Sequence, residues 1–254
     1  MSTSAEPGWP QGYSRKVLQT TDSTNAEAAR MAPTLGGPVW ILALSQSAAR
    51  GRRGRPWQMP EGNFAATLVM RPSGPPEVIA LRSFVASLAL FDAFVAVTGR
   101  AEMFSLKWPN DVLLSGGKVA GILLESIGAG QGVSHLAIGI GINLAEAPAP
   151  HEVEPQALRP VDLASHTGAL VTPEAFLEVL APAFAAWEDK FNTLGFAPIR
   201  QAWLARAARL GEVITARLPK AEMTGTFETV DERGNLVLIT AAGRQAIPAA
   251  DIFF

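Results

Sequence analysis

One stretch, Leu136 to Leu144, constrains the fold more than any other part of the chain. Side chains of an extended strand point alternately to its two faces. One face of this strand would carry only large apolar residues, and the other would carry Ala137, Gly139, Gly141 and Asn143. Because a glycine face offers a strand little to pack, we expect another backbone or a flat ligand to lie against it. A helix that crosses closely at the glycines is the alternative.

Apolar patterns elsewhere predict helices and strands in alternation. A short helix should begin at Thr24, which has capping-box spacing to Glu27. A long apolar helix should run from Pro75-Pro76-Glu77 to Gly99, and another should begin at Thr172-Pro173-Glu174. The second carries one buried stripe of Phe176, Leu180, Phe184, Trp187 and Phe191. Further strands are predicted at Val39 to Leu44, Phe64 to Met70 and Val119 to Leu124.

The chain is predicted to divide into a loose segment 1–13, a main domain 14–207 and a small domain 208–254. The last part contains short alternating runs separated by turn residues, which is typical of a small barrel of antiparallel strands. The runs are Val213 to Leu218, Thr224 to Val230 and Leu236 to Thr240. A unit of this size is marginal alone, so we expect it to pack on the main domain. The proline-rich segment 146–160 should be a loop.

Composition limits the class of protein. The 254 residues carry a net charge of −2, which argues against a surface built to hold DNA or RNA. The absence of cysteine excludes disulfides and thiolate chemistry and fits a reducing compartment. No signal peptide is recognisable, and the apolar stretch Phe84 to Val97 is short and interrupted by Asp92. We therefore expect a soluble, cytoplasmic protein without a membrane partner.

Residues 50 to 57 read RGRRGRPW and place four arginines within six positions. At an effective dielectric of 20, two such charges about 7 Å apart repel by roughly 2 kcal/mol. We therefore expect this loop to be mobile until an anion orders it. Gly51 and Gly54 would allow positive φ and a close approach to the ligand, arginine binds phosphate bidentately, and Trp57 could stack on a base. A basic turn or a single-stranded nucleic-acid patch is the alternative.

A second polar cluster follows an apolar element at Lys107-Trp108-Pro109-Asn110-Asp111. A lysine, an amide and a carboxylate at one strand end could hold a phosphate, a polar edge and Mg²⁺ respectively. Lys118 opens an apolar run and must reach solvent or a negative partner. Ser23, Thr24 and Asn25 offer hydroxyl and amide groups that suit a small polar ligand, although helix capping explains them equally well. The histidines at 135, 151 and 166 show no metal-ligand spacing.

These segments, in order and spacing, resemble the bacterial biotin protein ligases. The matching stretches are DSTN (22–25), SQSAARGRRGRPW (45–57), GNFAATLVM (62–70), KWPNDVLL (107–114), GKVAGILLE (117–125) and AIGIGINL (137–144). The resemblance implies an α/β (α+β) fold, with a mixed sheet flanked by helices, of the class II synthetase-like biotin and lipoate ligase kind, followed by an SH3-like domain. It also implies an enzyme that converts biotin and MgATP to biotinyl-5′-AMP and pyrophosphate, and then biotinylates one lysine of a biotin carboxyl carrier domain.

The resemblance also assigns residues. The biotin-binding positions are Ser23, Thr24, Asn25, Gln46, Arg50, Gly51, Lys118, Gly121 and Gly139. The ATP- and adenylate-binding positions are Arg52, Arg53, Arg55, Trp57, Lys107, Asn110 and Asn143. Lys118, Arg52, Asp111 and Lys107 are the expected catalytic residues, with Asp111 as a candidate Mg²⁺ ligand. Arginine and lysine would offset charge on the α-phosphate and the leaving pyrophosphate, so no protein nucleophile is required.

The chain departs from the family pattern at two places. Ala49 stands where a glycine is common, which would strain the loop if positive φ were needed there. No helix-turn-helix precedes the first motif, so we expect a monofunctional enzyme, monomer or homodimer, with no DNA partner. The competing interpretations are a lipoate or octanoate ligase, which would share the adenylate chemistry, and a non-catalytic module that binds single-stranded nucleic acid through the Arg-rich loop.

Overall fold

A seven-stranded mixed sheet lies at the centre of the fold, in a computed structural model that describes residues 8–128, 134–149, 152–153, 158–218 and 221–253. Its strand order is β1-β2-β3-β7-β6-β5-β4, and only the β1–β2 pair is parallel. The strands are β1 Ser14–Leu18, β2 Val39–Ala43, β3 Phe64–Met70, β4 Phe104–Lys107, β5 Asp111–Leu114, β6 Gly117–Ile127 and β7 His135–Ile142. The helices are α1 Thr24–Met31, α2 Pro76–Ala80, α3 Arg82–Thr98, α4 Leu163–Thr167, α5 Pro173–Leu194 and α6 Phe196–Leu204.

Helices α3 and α5 pack on each other and cover the large apolar face of the sheet. Ile138, Ile140 and Ile142 of β7 join this core, as the alternating pattern predicts. The predicted long helix is divided at Leu81 into α2 and α3, but its predicted end is confirmed, because Gly99 follows α3 with a φ of 71°. The predicted start of α5 is also confirmed, because the Thr172 hydroxyl accepts from the Ala175 N–H. By length and composition the helical stretch Pro76–Thr98 could cross a membrane, but 72% of its most apolar window is buried inside the fold.

Helix α1 lies on the opposite face of the sheet, over the small residues of β7. The predicted start of α1 at Thr24 is confirmed, but the predicted capping box between Thr24 and Glu27 is wrong. Ser23 is the N-cap residue and makes no side-chain capping bond. The Thr24 hydroxyl instead donates to Gln46, and Glu27 pairs with Lys16 and Arg30. Tertiary partners therefore replace the local capping bonds, and they turn the start of α1 towards the sheet.

The C-terminal part forms a five-stranded antiparallel sheet in the order β11-β10-β9-β8-β12. Its strands are β8 Val213–Arg217, β9 Glu222–Val230, β10 Leu236–Thr240, β11 Gly243–Ile247 and β12 Asp251–Phe253. The terminal strands β11 and β12 are not paired in this order, so the described residues form an open sheet rather than a closed barrel. The sheet packs on the main domain, since its apolar residues share one core and the Trp108 indole N–H donates to Gly234 O at 3.0 Å.

Five short or polar strands were not predicted from the sequence: β1, β4, β5, β11 and β12. Part of the predicted loose segment 1–13 is packed, because Trp9 and Tyr13 lie against the core and the Trp9 indole donates to Tyr13 O. Residues 1–7 lie outside the described residues, as does part of the predicted loop 146–160. The domain boundaries at 13 and 207 stay predictions.

Candidate active site

A cleft of about 340 Å³ lies over the small-residue face of β6 and β7. The loop 46–58, the β4–β5 hairpin and β12 complete its walls. This volume falls in the range of small-molecule sites, roughly 300–1,000 Å³. The predicted site residues that line it are Ser23, Thr24, Asn25, Gln46, Arg50, Gly51, Arg52, Arg55, Trp57, Lys107, Asn110, Asp111, Lys118, Gly121, Gly139 and Asn143. Arg53 is not among the lining residues.

The glycines of β7 make room for two side chains of the protein itself. A Cβ atom built at Gly139 would lie 3.0 Å from Asn25 Cγ, and one built at Gly141 would lie 2.6 Å from Trp57 Cε2. Both distances are too short for an ordinary side chain. An amide from α1 and an indole from the loop lie on this face in place of the expected second backbone, and the expectation of a flat ligand there stays a prediction.

One end of the cleft is neutral and is organised by hydrogen bonds. Gln46 Oε1 accepts from the Thr24 backbone N–H at 2.7 Å and from the Thr24 hydroxyl at 3.2 Å. Thr67 Oγ1 lies 2.6 Å from Asn25 Oδ1, and Asn25 Nδ2 donates to Glu125 at 2.6 Å. These contacts fix the orientation of both amides, so the wall presents donors and acceptors in set positions.

The other end of the cleft is cationic. The hairpin β4–β5 brings Lys107 and Asp111 opposite each other, and Lys118 reaches the same carboxylate from β6. Lys118 Nζ lies 2.7 Å from Asp111 Oδ1, and Lys107 Nζ lies 3.7 Å from Oδ2. The predicted need of Lys118 for a negative partner is thus met.

The ionisation of this group follows from its burial and its charges. Burial alone would raise the pKa of Asp111, but the neighbouring Lys118 and Lys107 outweigh it and hold that pKa below its ordinary value. Burial lowers the pKa of Lys107, although Asp111 opposes the change. Two lysines thus face one ionised carboxylate, which leaves the group with a surplus of positive charge.

The Arg-rich loop, residues 50 to 55, crosses the mouth of the cleft and is already paired with carboxylates. Arg50 Nη2 lies 3.1 Å from Glu125 Oε1, and Arg52 Nη1 donates to Asn110 Oδ1 at 3.3 Å. Arg53 and Arg55 contact Asp251 of β12 at 2.5 and 3.2 Å. Carboxylates thus contact the arginines of the loop, and the expectation that the loop is mobile until an anion orders it stays a prediction.

The loop backbone has the predicted positive φ at Gly54 but not at Gly51. Arg53 and Gly54 adopt positive φ, 58° and 73°, whereas Gly51 is extended with a φ of −100°. Ala49 is not among the residues with positive φ, so a glycine is not needed there. The Arg53 guanidinium contacts Asp251 of β12, and Arg53 itself is not among the residues that line the cleft.

Trp57 and Asn143 form the wall between the two ends. Lys118 Nζ lies 5.6 Å from the centre of the Trp57 ring. Asn143 is only 2% exposed, and its Nδ2 donates to Val161 O at 3.0 Å. Its Oδ1 is buried and accepts no hydrogen bond within the described residues. Since a buried polar atom without a partner is costly, this oxygen is suited to a ligand that carries a donor.

The described residues contain no cluster of three or more acidic, histidine or cysteine side chains that could cage a metal. Mg²⁺ commonly binds to one or two carboxylates together with substrate phosphates and waters. Asp111 fits that second arrangement, and its role as a metal ligand stays a prediction. His135 accepts from Arg71 at 2.9 Å, whereas His151 lies outside the described residues.

Several residues at the site were missed in the sequence analysis. Thr67 and Glu125 orient Asn25, while Asp251, Ile252 and Phe253 bring the C-terminal sheet to the cleft. Glu125 ends the matching stretch GKVAGILLE, so its position carried a usable signal. Asp251 lies in a short terminal strand with no motif around it, and no local pattern pointed to it.

Comparison with known families gives two matches along the chain. Residues 17–143 match the biotin/lipoate A/B protein ligase family, and residues 210–254 match the biotin protein ligase C-terminal domain. The two matched regions carry the cleft and the C-terminal sheet, respectively.

Similar proteins cover nearly the whole chain. It is 59% identical to a biotin–[acetyl-CoA-carboxylase] ligase of Paracoccus denitrificans, over 94% of this chain and 99% of that protein. It is 30% identical to a bifunctional ligase/repressor of Bacillus subtilis, over 93% of this chain and 71% of that protein. Among solved structures, the biotin protein ligase from Aquifex aeolicus in complex with biotin and ATP superposes with a TM-score of 0.80 at 26% identity, covering 94% of this chain and 97% of that one.

Proposed function

The chain belongs to the biotin/lipoate A/B protein ligase family, and from that premise we propose how its cleft carries out biotin–protein ligation. The enzyme converts biotin and MgATP to biotinyl-5′-AMP and pyrophosphate, and then transfers the biotinyl group to a protein lysine. The observation that carries the assignment of roles is one continuous cleft with a neutral hydrogen-bonding end and a cationic end. A neutral ring system and a polyphosphate can therefore lie in it together.

The neutral end is proposed to bind the biotin ring. A cyclic urea has one carbonyl acceptor and two N–H donors, and it needs fixed partners of both kinds. Ser23, Thr24, Asn25 and Gln46 provide hydroxyl and amide groups there. Gln46 is hydrogen-bonded to Thr24, and Asn25 to Thr67 and Glu125, which holds both amides in place before ligand binding. Gly139 leaves room for the Asn25 amide at this end. Preorganisation of this kind reduces the ordering cost of binding.

The cationic end is proposed to carry out adenylation. A carboxylate oxygen of biotin attacks the α-phosphorus of ATP, and the bond from that phosphorus to the bridging oxygen of pyrophosphate breaks. Lys107, Lys118 and Arg52 stabilise the charge that develops on the phosphoryl oxygens and on the leaving group. Loss of one such preorganised charge or donor typically lowers the rate about 10²–10³-fold. Asp111 keeps both lysines positioned. It would also be the residue to hold a Mg²⁺ ion bound with ATP, which would neutralise phosphate charge.

The adenine ring is proposed to lie between the two ends, near Trp57 and Asn143. The buried Asn143 Oδ1 can accept a hydrogen bond from the exocyclic amino group of adenine. The indole supplies a flat face for stacking, worth roughly 1–3 kcal/mol in nucleic-acid systems. Trp57 now covers Gly141, so its ring must shift within the cleft to lie on the base.

The second step transfers biotin to the acceptor protein. The amine of an acceptor lysine attacks the acyl carbon of biotinyl-AMP, the amine loses a proton, and AMP leaves with the electrons of the broken acyl–oxygen bond. The acceptor is a carboxyl carrier substrate, in keeping with the 59% identical ligase. We propose the biotin carboxyl carrier domain of a carboxylase. A cytoplasmic location, a monomeric or dimeric state and the absence of DNA binding stay predictions.

The decisive experiment is ATP–pyrophosphate exchange with biotin, with lipoate or with no added acid. Exchange that depends on biotin, followed by label transfer to a purified carrier domain, is the expected result. Exchange with lipoate alone would assign the chain to the other branch of the family. Absence of exchange with either acid would refute the adenylation mechanism.

Two matched variants test whether ATP–pyrophosphate exchange depends on the cationic end of the cleft. Lys118→Gln removes a charge inside the cleft, whereas Arg100→Gln removes one at an exposed position after α3. Only the first should slow the exchange, by about 10²–10³-fold. Equal activity of both variants would show that the cationic end does not act as proposed.

A further inference from the structure

Asp251 connects the C-terminal sheet to the Arg-rich loop at the mouth of the cleft. Its carboxylate lies 2.5 Å from Arg53 Nη1, 3.2 Å from Arg55 Nη2 and 3.9 Å from Arg52 Nη1. The Asp251 side chain is 14% exposed, whereas those of Arg53 and Arg55 are 43% and 44% exposed. One largely buried carboxylate thus contacts three cations from a segment almost two hundred residues earlier.

The charges of the loop explain why such a partner is needed. Four guanidinium groups within six residues repel one another, and the repulsion is relieved only where negative groups approach. Glu125 approaches Arg50, and Asp251 approaches the other three arginines. Removing a buried carboxylate from such a group leaves the cations facing each other without compensation.

Two backbone hydrogen bonds are internal to the loop and the residues that flank it. Gly51 N–H donates to Arg55 O, and Trp57 N–H donates to Ala49 O. These bonds preserve the shape of the loop but do not attach it to the rest of the fold. Arg52 reaches Asn110 at 3.3 Å, which is a long contact for this kind of hydrogen bond. The carboxylates therefore provide the main electrostatic connection between loop and body.

We propose that Asp251 is a positioning residue that holds the Arg-rich loop over the cleft and so retains the adenylate between the two half-reactions. Ile252 and Phe253 extend the same strand into the wall of the cleft, so the C-terminal sheet shapes the site as well as anchoring the loop. This role deepens the proposed ligase function and rests on it, although the anchoring of the loop can be measured without any substrate.

The first test measures loop anchoring by limited trypsin digestion of the full-length protein without ligand. Trypsin cleaves after arginine, so release of the loop exposes the bonds after Arg50, Arg52 and Arg53. Asp251→Asn should accelerate cleavage there, and Asp251→Glu should restore protection. The matched control is Glu228→Gln, which removes a carboxylate that pairs with Arg244 on the same sheet. Equal cleavage rates for Asp251→Asn and Glu228→Gln would overturn the proposal.

The second test measures retention of biotinyl-AMP. The intermediate is formed in each variant, excess substrate is removed, and its dissociation is followed at a temperature where thermal unfolding shows every variant to be folded. Asp251→Asn should lose it about tenfold faster, which corresponds to 1.4 kcal/mol, and Asp251→Glu should retain it. Unchanged dissociation would overturn the role. Slower dissociation together with a lower KM for ATP in Asp251→Asn would also overturn it, because Asp251 would then compete with the phosphates of ATP.

The two tests separate failure of this inference from failure of the proposed function. If the parent enzyme forms no adenylate, the ligase mechanism fails and adenylate retention fails with it. If the adenylate forms and trypsin sensitivity is unchanged in Asp251→Asn, the ligase mechanism stands and the role of Asp251 is refuted.

Discussion

Gly139→Ala tests whether the bare face of β7 exists to accommodate Asn25. The added Cβ would lie 3.0 Å from both Cγ and Nδ2 of Asn25, a separation that real Cβ atoms seldom show. Gly139 is buried in the sheet and Asn25 is only 6% exposed, so neither can move into solvent. The Asn25 amide must therefore rotate or shift along the start of α1.

The cost follows from the bonds that a shifted amide loses. Asn25 accepts from Thr67 at 2.6 Å and donates to Glu125 at 2.6 Å. A neutral hydrogen bond contributes about 1 kcal/mol and one to a charged group about 1.5–3 kcal/mol. Biotin that binds to the shifted amide lacks the preorganised partner that these bonds hold in place, so we take their sum, about 2.5–4 kcal/mol, as the scale of the loss. Since 1.4 kcal/mol is tenfold in affinity, biotin should bind roughly a hundredfold to a thousandfold more weakly.

The assay is calorimetric titration of biotin, with thermal unfolding as a check on folding. Gly36→Ala is the matched control, because a Cβ built there meets nothing within 4 Å. In an Asn25→Ala background the clash at position 139 is removed, so the second substitution should add little to the loss of affinity. Wild-type biotin affinity in Gly139→Ala, or additive losses in the double variant, would refute the reasoning.

Three further substitutions probe the rest of the cleft. Arg52→Ala removes a loop cation at the cleft and should let biotinyl-AMP dissociate faster, while unchanged retention of the intermediate would count against that role. Asn143→Ala removes the buried unpaired oxygen and should raise the KM for ATP about tenfold, the effect of losing one hydrogen bond, with an unaltered biotin Kd as the internal control. The pKa of Asp111 is lower in the folded than in the unfolded state, so the unfolded state binds a proton first as pH falls. The stability that the ionised carboxylate contributes is therefore lost below about pH 5, as pH falls through the folded pKa. The free energy of unfolding of Asp111→Asn, measured by urea titration at successive pH values, should therefore depend less on acid pH than that of the parent, and identical acid dependence would contradict the assigned ion pairs.

The sequence predicted those parts of the fold whose signals are local. The proline and glycine that flank the long apolar helix define α2 and α3, and the aromatic stripe after Thr172 defines the buried face of α5. Strand β7 was predictable because its two faces differ in side-chain size at every position. The cleft was predictable for a related reason, since its motifs occur at loops and strand ends that the sheet brings together.

Elements whose partners are distant in sequence were not predictable in the same way. Strand β12 is short, and it pairs with β8, which lies far earlier in the sequence. Thr24 and Glu27 have the spacing of a capping box, but the Thr24 hydroxyl bonds to Gln46 and Glu27 pairs with Lys16 instead. The conformation of Arg53 is likewise set by Asp251, which belongs to another sheet. In each case a tertiary contact outweighs a local preference, and sequence spacing carries no record of that contact.

The acidic partners also explain how a cluster of cations can belong to a chain with a net charge of −2. Glu125, Asp111 and Asp251 each approach cations of the cleft. A phosphate that enters the cationic end must therefore compete with Asp111, which already contacts both lysines, and it gains only the difference between the two sets of contacts. This difference is small for a simple anion that makes one contact. It is larger for a nucleotide, whose adenine reaches Asn143 while its phosphates reach the lysines, so the internal carboxylates favour the complete substrate over its fragments.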